Sequence, residues 1–323
     1  MNRFELARPG SVAEARELLS EKPGAVLKAG GIDLLDHMKE RLVEPPRLVD
    51  LKSIPGLKGI VPEVDGSLRI GPLSTLADVA GHALVRKTHP ALAEACGEAA
   101  SPQIRNVATI GGNLLQRPRC WYYRLESYKC LKKGGDVCFA WVGENRYHAI
   151  LGGGPSYATH PSNAAVPLVA YGASLVLDGP NGKRTVPASE FFTPPTEDPE
   201  KENQLAAGEV LTEILVPSAE GTKSAYAQIS ERGGFDWPLV GVAAVLKLEA
   251  GSVKQASIVL GAVAPIPWRA SAAQDALVGR ALDEAAAAAA ARASILGAQP
   301  LSDNGYKLGL VQTLVRRTLL SLA

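Results

Sequence analysis

The sequence predicts an α+β protein of two domains, on three observations. The N-terminal stretch alternates short apolar runs, glycine turns and helical spacing. A second diglycine turn, Gly111-Gly112, lies about 80 positions after Gly30-Gly31. Past Pro217 a new unit begins with two strand-like runs, followed by two or three helices. With 323 residues the chain is long enough for two cores. Its 46% hydrophobic and 21% charged residues exclude wholesale disorder.

Taken in order, Ser11-Val12-Ala13-Glu14 reads as a capping box opening a helix with Ala15, Leu18 and Leu19 on its apolar face. Ala25-Val26-Leu27 reads as a buried strand running into Lys28-Ala29-Gly30-Gly31. A helix from about Asp33 carries Leu34, Leu35, Met38 and Leu42 at helical spacing and stops at Pro45-Pro46. Residues 47–51 form a further strand, which completes a β-turn-α-β opening similar to a nucleotide-binding half-domain. Residues 68–71 read as a strand, and 76–85 and 91–98 as helices. Residues 111–161, rich in Gly and Cys, read as a long loop. Residues 173–177 and 183–186 flank Gly179-Pro180-Asn181-Gly182 as a hairpin, and 193–204 reads as a solvated connection. Residues 240–249 and 253–260 surround Ala250-Gly251-Ser252 as a strand pair. The alanine run 285–291 reads as an ordinary surface helix.

Composition narrows the function classes. The 34 basic residues against 33 acidic leave a charge of +1, so no electrostatic excess points to nucleic acid or an anionic membrane. No apolar run reaches the roughly 18 residues of a membrane span. The start lacks the profile of a signal peptide, so the expected location is cytoplasmic, with export on a partner's signal left open. No Ser-His-Asp set, H-E-x-x-H, P-loop or G-x-G-x-x-G occurs.

Four features could carry chemistry. In Lys28-Ala29-Gly30-Gly31-Ile32-Asp33, paired glycines between strand and helix let a ligand approach the backbone, and the unpaired N–H groups of the helix start suit a pyrophosphate. A plain turn is the alternative. In Ala108-Thr109-Ile110-Gly111-Gly112-Asn113 a second glycine pair follows a β-like stretch, flanked by hydrogen-bonding side chains; a bulge or turn is the alternative. Third, Cys120, Cys130 and Cys138 are separated by nine and then seven residues, with Arg117, Arg119, Lys129, Lys132 and Lys133 nearby. Thiolates suit zinc or iron–sulfur centres, although these gaps are wider than a zinc C-x2-C. His148 and Ser156 are candidate fourth ligands, and Cys96 reads as a packing residue. Fourth, the segment from Glu231 to Trp237 could line a flavin ring or a subunit interface, or be a solvated loop.

Ala29-Gly30-Gly31-Ile32-Asp33-Leu34-Leu35 and Thr109-Ile110-Gly111-Gly112-Asn113 together resemble the A-G-G-T-D-L and T-I-G-G-N motifs of the FAD-binding subunits of molybdenum hydroxylases, the xanthine dehydrogenase and carbon monoxide dehydrogenase group. The resemblance covers nearly the whole chain. It implies a two-part FAD-binding domain of the vanillyl-alcohol-oxidase (PCMH) type at 1–217, with lobes 1–56 and 57–217 and a cysteine loop at 116–160. A smaller α+β domain at 218–323, like that of the carbon monoxide dehydrogenase flavoprotein, follows. It implies FAD held by Lys28, Ala29, Gly30, Gly31, Ile32, Asp33, Leu34, Thr109, Gly111, Gly112, Asn113, Asn163 and Leu211, with the glycine turns wrapping the pyrophosphate. Asn163 stands where relatives often have aspartate.

The cysteine loop resembles the subfamily whose flavin subunit also carries a 4Fe-4S cluster on four cysteines. Cys120, Cys130 and Cys138 match three, and the fourth position falls at Ser156, a harder and poorer iron ligand. Ligation by Ser156, ligation by His148, a three-iron form and no cluster at all stay open. The implied partners are a large molybdopterin-binding subunit and a small subunit with two 2Fe-2S centres, between which and an external acceptor FAD relays electrons. A stand-alone FAD oxidase and a zinc-stabilised assembly subunit are the rival readings.

Overall fold

The computed structural model describes residues 1–323, folded around three sheets. In the first, the strand Arg47–Asp50 lies between Glu5–Ala7 and Val26–Lys28, both pairings parallel. Parallel neighbours need crossovers, which the helices Val12–Glu21 and Ile32–Lys39 supply. Ser11 Oγ accepts the Glu14 N–H at 3.1 Å, but the Glu14 carboxylate reaches the Gly10 N–H rather than that of Ser11, one residue earlier than a capping box requires. The second helix ends at Lys39, short of Leu42. Arg41 takes φ 58°, and the Arg41 and Leu42 N–H groups close on Met38 O and His37 O in a Schellman turn, with arginine where glycine is usual.

The second sheet is antiparallel, in the order Ile60–Pro62, Leu68–Ile70, Val210–Val216, Ser174–Gly179, Gly182–Pro187. The helical stretch expected at 76–85 is two helices, Leu76–Gly81 and Ala83–Thr88, because His82 between them is extended. Apolar residues of this sheet pack with the helices Pro90–Glu98 and Ala165–Ala170, and Cys96 is completely buried in that core. Residues 193–204, expected to be solvated, bury Glu202 against Lys132 and Arg117.

The third sheet is also antiparallel, in the order Trp268–Arg269, Ser252–Gly261, Pro238–Glu249, Thr222–Ser230. One face carries the helices Ser271–Asp275, Glu284–Ala293 and Lys307–Leu320. Tyr226, Ala243 and Val259 on the other face belong to the same core as Leu92 and Leu168, so the last sheet is continuous with the second unit's interior. The alanine run is no surface helix. Capped by Asp283, it buries Ala286, Ala287, Ala290 and Ala291, whose methyl groups let it lie close against Lys307–Leu320.

Residues 115–160 contain no strand and only short helical turns, at Trp121–Arg124, Leu131–Lys133 and Phe139–Trp141. Aromatic rings hold them together. Tyr122 meets Tyr128 at 5.1 Å and Phe139 at 5.9 Å between ring centres, and Trp121 meets Tyr147 at 5.5 Å and His148 at 5.3 Å. From the far side Lys307, itself buried, donates Nζ hydrogen bonds to the carbonyls of Tyr147, His148 and Ala262.

Candidate functional site

Both diglycine turns line one cleft of about 410 Å³ between the first and second sheets. Ala29, Gly30, Gly31, Ile32, Asp33, Leu34, Thr109, Gly111, Gly112, Asn113, Asn163 and Leu211 all stand in its wall. Lys28 does not: its Nζ pairs with Asp50 at 3.0 Å, under the turn. The glycines are required by the packing. A Cβ on Gly30 would occupy the place of the Val107 carbonyl oxygen, and one on Gly111 would come within 2.7 Å of Pro72 Cβ. Gly31, at φ 85°, is the N-cap of Ile32–Lys39 and gives that helix its entry angle.

The two turns offer a ligand different things. In the first, the backbone N–H groups from Gly30 to Leu34 have no acceptor within the protein, and no side chain caps the helix. In the second, four N–H groups are engaged, Ile110 with Ser74 O, Gly111 with Pro72 O, Gly112 with Thr109 Oγ1 and Asn113 with Thr109 O, and that of Thr109 has no acceptor within the protein. Thr109 is the N-cap of the helical turn Ile110–Leu114 rather than the end of a strand. The first turn therefore has a run of donors free for an anion, and the second contributes the Thr109 N–H and close surface at its glycines.

Each of the two side-chain amides is committed at one end. Asn113 Oδ1 accepts from Ser162 Oγ at 2.6 Å and from the Ala164 N–H at 3.3 Å. Asn163 Nδ2 donates to Gln228 Oε1 at 2.6 Å and Tyr226 OH at 3.2 Å, which ties the cleft to the third sheet. Phe235, Asp236 and Trp237 also line the cleft, so the fourth sequence feature belongs to its wall. Arg119 stacks over the Trp237 ring at 4.3 Å. Burial, and then the neighbouring Arg124, hold the Arg119 guanidinium below its ordinary pKa.

Sequence reasoning passed over the wall at Ala99, Ala100, Ser101 and Ile104. Ala100 has φ 47°, a conformation that favours glycine. Nothing in an alanine pair announces this; Ser101-Pro102, a capped helix start, was the available signal.

The structure does not support the expected cluster. No group of three or more His, Cys, Asp or Glu side chains converges so as to hold a metal. Cys120, Cys130 and Cys138 are free thiols. Cys120 Sγ instead shares a hydrogen bond with His148 Nε2 at 3.1 Å. Burial pushes the Cys120 thiol up to about 12, with Cys138 and Cys130 adding to the effect, and burial followed by the Lys307 charge pushes His148 down to about 4. The pair is thus a neutral thiol hydrogen-bonded to a neutral imidazole. Ser156 is buried, and His148 forms no ligand group with the cysteines.

An open-amide helix start sharing one cleft with a diglycine turn defines a dinucleotide-binding protein, and comparison makes the class specific. The family described as the FAD binding domain in molybdopterin dehydrogenase matches residues 2–219, and the CO dehydrogenase flavoprotein C-terminal domain matches 224–322. The chain is 36% identical to the aldehyde oxidoreductase FAD-binding subunit PaoB of Escherichia coli (strain K12), over 99% of this chain and 97% of that one. It is 33% identical to the carbon monoxide dehydrogenase medium chain of Hydrogenophaga pseudoflava, over 98% of this chain and 96% of that one. A solved structure of carbon monoxide dehydrogenase from H. pseudoflava superposes with a TM-score of 0.77 at 34% identity, covering 99% and 97% of the two chains. Quinoline 2-oxidoreductase from Pseudomonas putida 86 gives 0.78 at 27% identity, covering 99% and 97%. The chain belongs to the family of FAD-binding medium subunits of molybdenum hydroxylases, and its fold is the PCMH-type FAD-binding domain followed by the smaller C-terminal domain. It is an oxidoreductase subunit that binds FAD and transfers electrons. No helix is long and apolar enough to cross a membrane.

Proposed function

We propose that FAD lies along the 410 Å³ cleft, its diphosphate on the free N–H groups of residues 30–34 and its edge against Gly111 and Gly112, with Thr109, Asn113, Asn163 and Leu211 completing the wall. Within this reading the flavin domain spans 1–217 and the C-terminal domain 218–323. The observation that carries it is the unpaired amide run of the first turn, lining the same cleft as the second. Bound flavin supplies the exchange between one- and two-electron carriers. The chain's own residues bind the dinucleotide, orient it and cover it through Phe235 and Trp237.

The partners that fit are a large molybdopterin-binding subunit, where the organic substrate reacts, and a small subunit with two 2Fe-2S centres. Electrons reach FAD from those centres and leave to an external acceptor. The family membership and the relatives named as subunits and medium chains support this reading. The test is to purify the complex through a tag on this chain. One FAD per chain, molybdenum and iron in the two partner chains, and flavin reduction on adding an aldehyde or a heteroaromatic substrate are expected. A chain that takes up no FAD would refute the assignment.

A further inference from the structure

We infer that Arg124 is a positioning residue for FAD: it neutralises Asp33 at the start of the flavin helix and fixes that helix to the cysteine-bearing segment. The inference rests on the proposed placement of the diphosphate. Asp33 is the second residue of the helix Ile32–Lys39, among the very N–H groups left free, and it lines the cleft. An acidic residue suits a helix N-terminus by itself, but it opposes an incoming diphosphate through like charge.

The surroundings answer that opposition. Arg124 Nη2 donates to Asp33 Oδ1 at 2.7 Å, and its Nη1 donates to Asp36 Oδ2 at 2.7 Å, one helical turn on. The Arg124 Nε donates to Pro118 O at 2.9 Å, so the guanidinium is held from both sides. The second Asp33 oxygen accepts the Arg117 N–H at 2.9 Å, and Arg119 Nη1 lies 3.4 Å from each of the two carboxylates. Arg124 is 13% exposed and Asp33 18%, which places the pair where Coulomb forces are weakly screened. A lysine ammonium lacks the planar fork and cannot reproduce both 2.7 Å Nη contacts together with the Nε bond to Pro118 O.

A purely mechanical staple would use the same contacts, so the test must separate charge from scaffolding. FAD binding to the full-length chain is titrated by flavin fluorescence for wild type, Arg124→Gln, Asp33→Asn and the double variant. Loss of a buried charge-assisted contact predicts FAD affinity about 10- to 100-fold weaker in Arg124→Gln. Asp33→Asn in that background recovers most of the loss, since the amide still accepts the Arg117 N–H without carrying charge. A double variant as weak as Arg124→Gln would show a staple alone and overturn the inference, as would undiminished affinity in Arg124→Gln. Circular dichroism checks folding. Should Arg124→Gln not fold, Arg124→Lys serves: several-fold weaker binding supports the inference and unchanged binding overturns it. Wild-type protein that binds no FAD would instead refute the proposed site, and this inference with it.

Discussion

Gly30 and Val107 are in direct contact: the position a side chain would take on Gly30 is filled by the Val107 carbonyl oxygen. Through this contact the first turn, from the three-stranded parallel sheet, abuts the segment that leads into the second. A relationship between residues so distant in sequence sets the width of the cleft.

Gly30→Ala should therefore open the cleft. A methyl group pressed into a backbone carbonyl forces the turns apart, at about 1–3 kcal/mol. Lower FAD affinity together with a lower melting temperature is expected, read by flavin titration and calorimetry. Gly233→Ala, where a Cβ meets open space, is the control and should bind FAD normally.

Acid should weaken the protein through its buried histidines: burial lowers His37 and His89, and His148 and His160 further. Burial lowers His160 to about 3, with the Lys132 charge adding to it, and His148 is lowered to about 4. Both His160 ring nitrogens lack a partner. In the unfolded chain both titrate near the ordinary value of 6.5. Below that value the unfolded state binds protons that the folded state refuses. Their contribution is thus whole above pH 6.5 and falls by about 1.4 kcal/mol per pH unit for each histidine, towards pH 4 and pH 3. Urea unfolding at pH 7.5, 6 and 5 should show this slope, and His160→Phe should flatten it by one histidine's share.

Lys307→Met should lower stability by about 2–4 kcal/mol, because the Tyr147, His148 and Ala262 carbonyls lose their shared donor. Thermal unfolding measures the loss. FAD affinity should change little, since Lys307 does not line the cleft.

The glycine turns were legible in the sequence because their chemistry is local: a strand end, two residues without Cβ and a helix start are neighbours in the chain. The same locality made the hairpin at Pro180-Asn181 and the strand pair around Gly251 readable. Tertiary facts were not legible. That the amides of Ile110 and Gly111 are taken by Ser74 and Pro72 depends on a segment some 40 positions earlier. Helix propensity alone made the alanine run a surface helix, and only its packing partner buries it. The cysteine spacing suggested a ligand set, yet convergence of side chains depends on the turns between them, which spacing does not specify. Arg117, Arg119 and Lys132 looked like counter-charges for thiolates. They face Asp33, Asp36 and Glu202 instead.

Asn163 reaches out of the cleft wall to Tyr226 and Gln228, while Phe235 and Trp237 return from the same region to its mouth. The C-terminal third is thus roof as well as annex. A chain cut near residue 219 would keep both glycine turns and still leave the dinucleotide bare on one side, so separating the two matched segments is no route to a minimal flavoprotein.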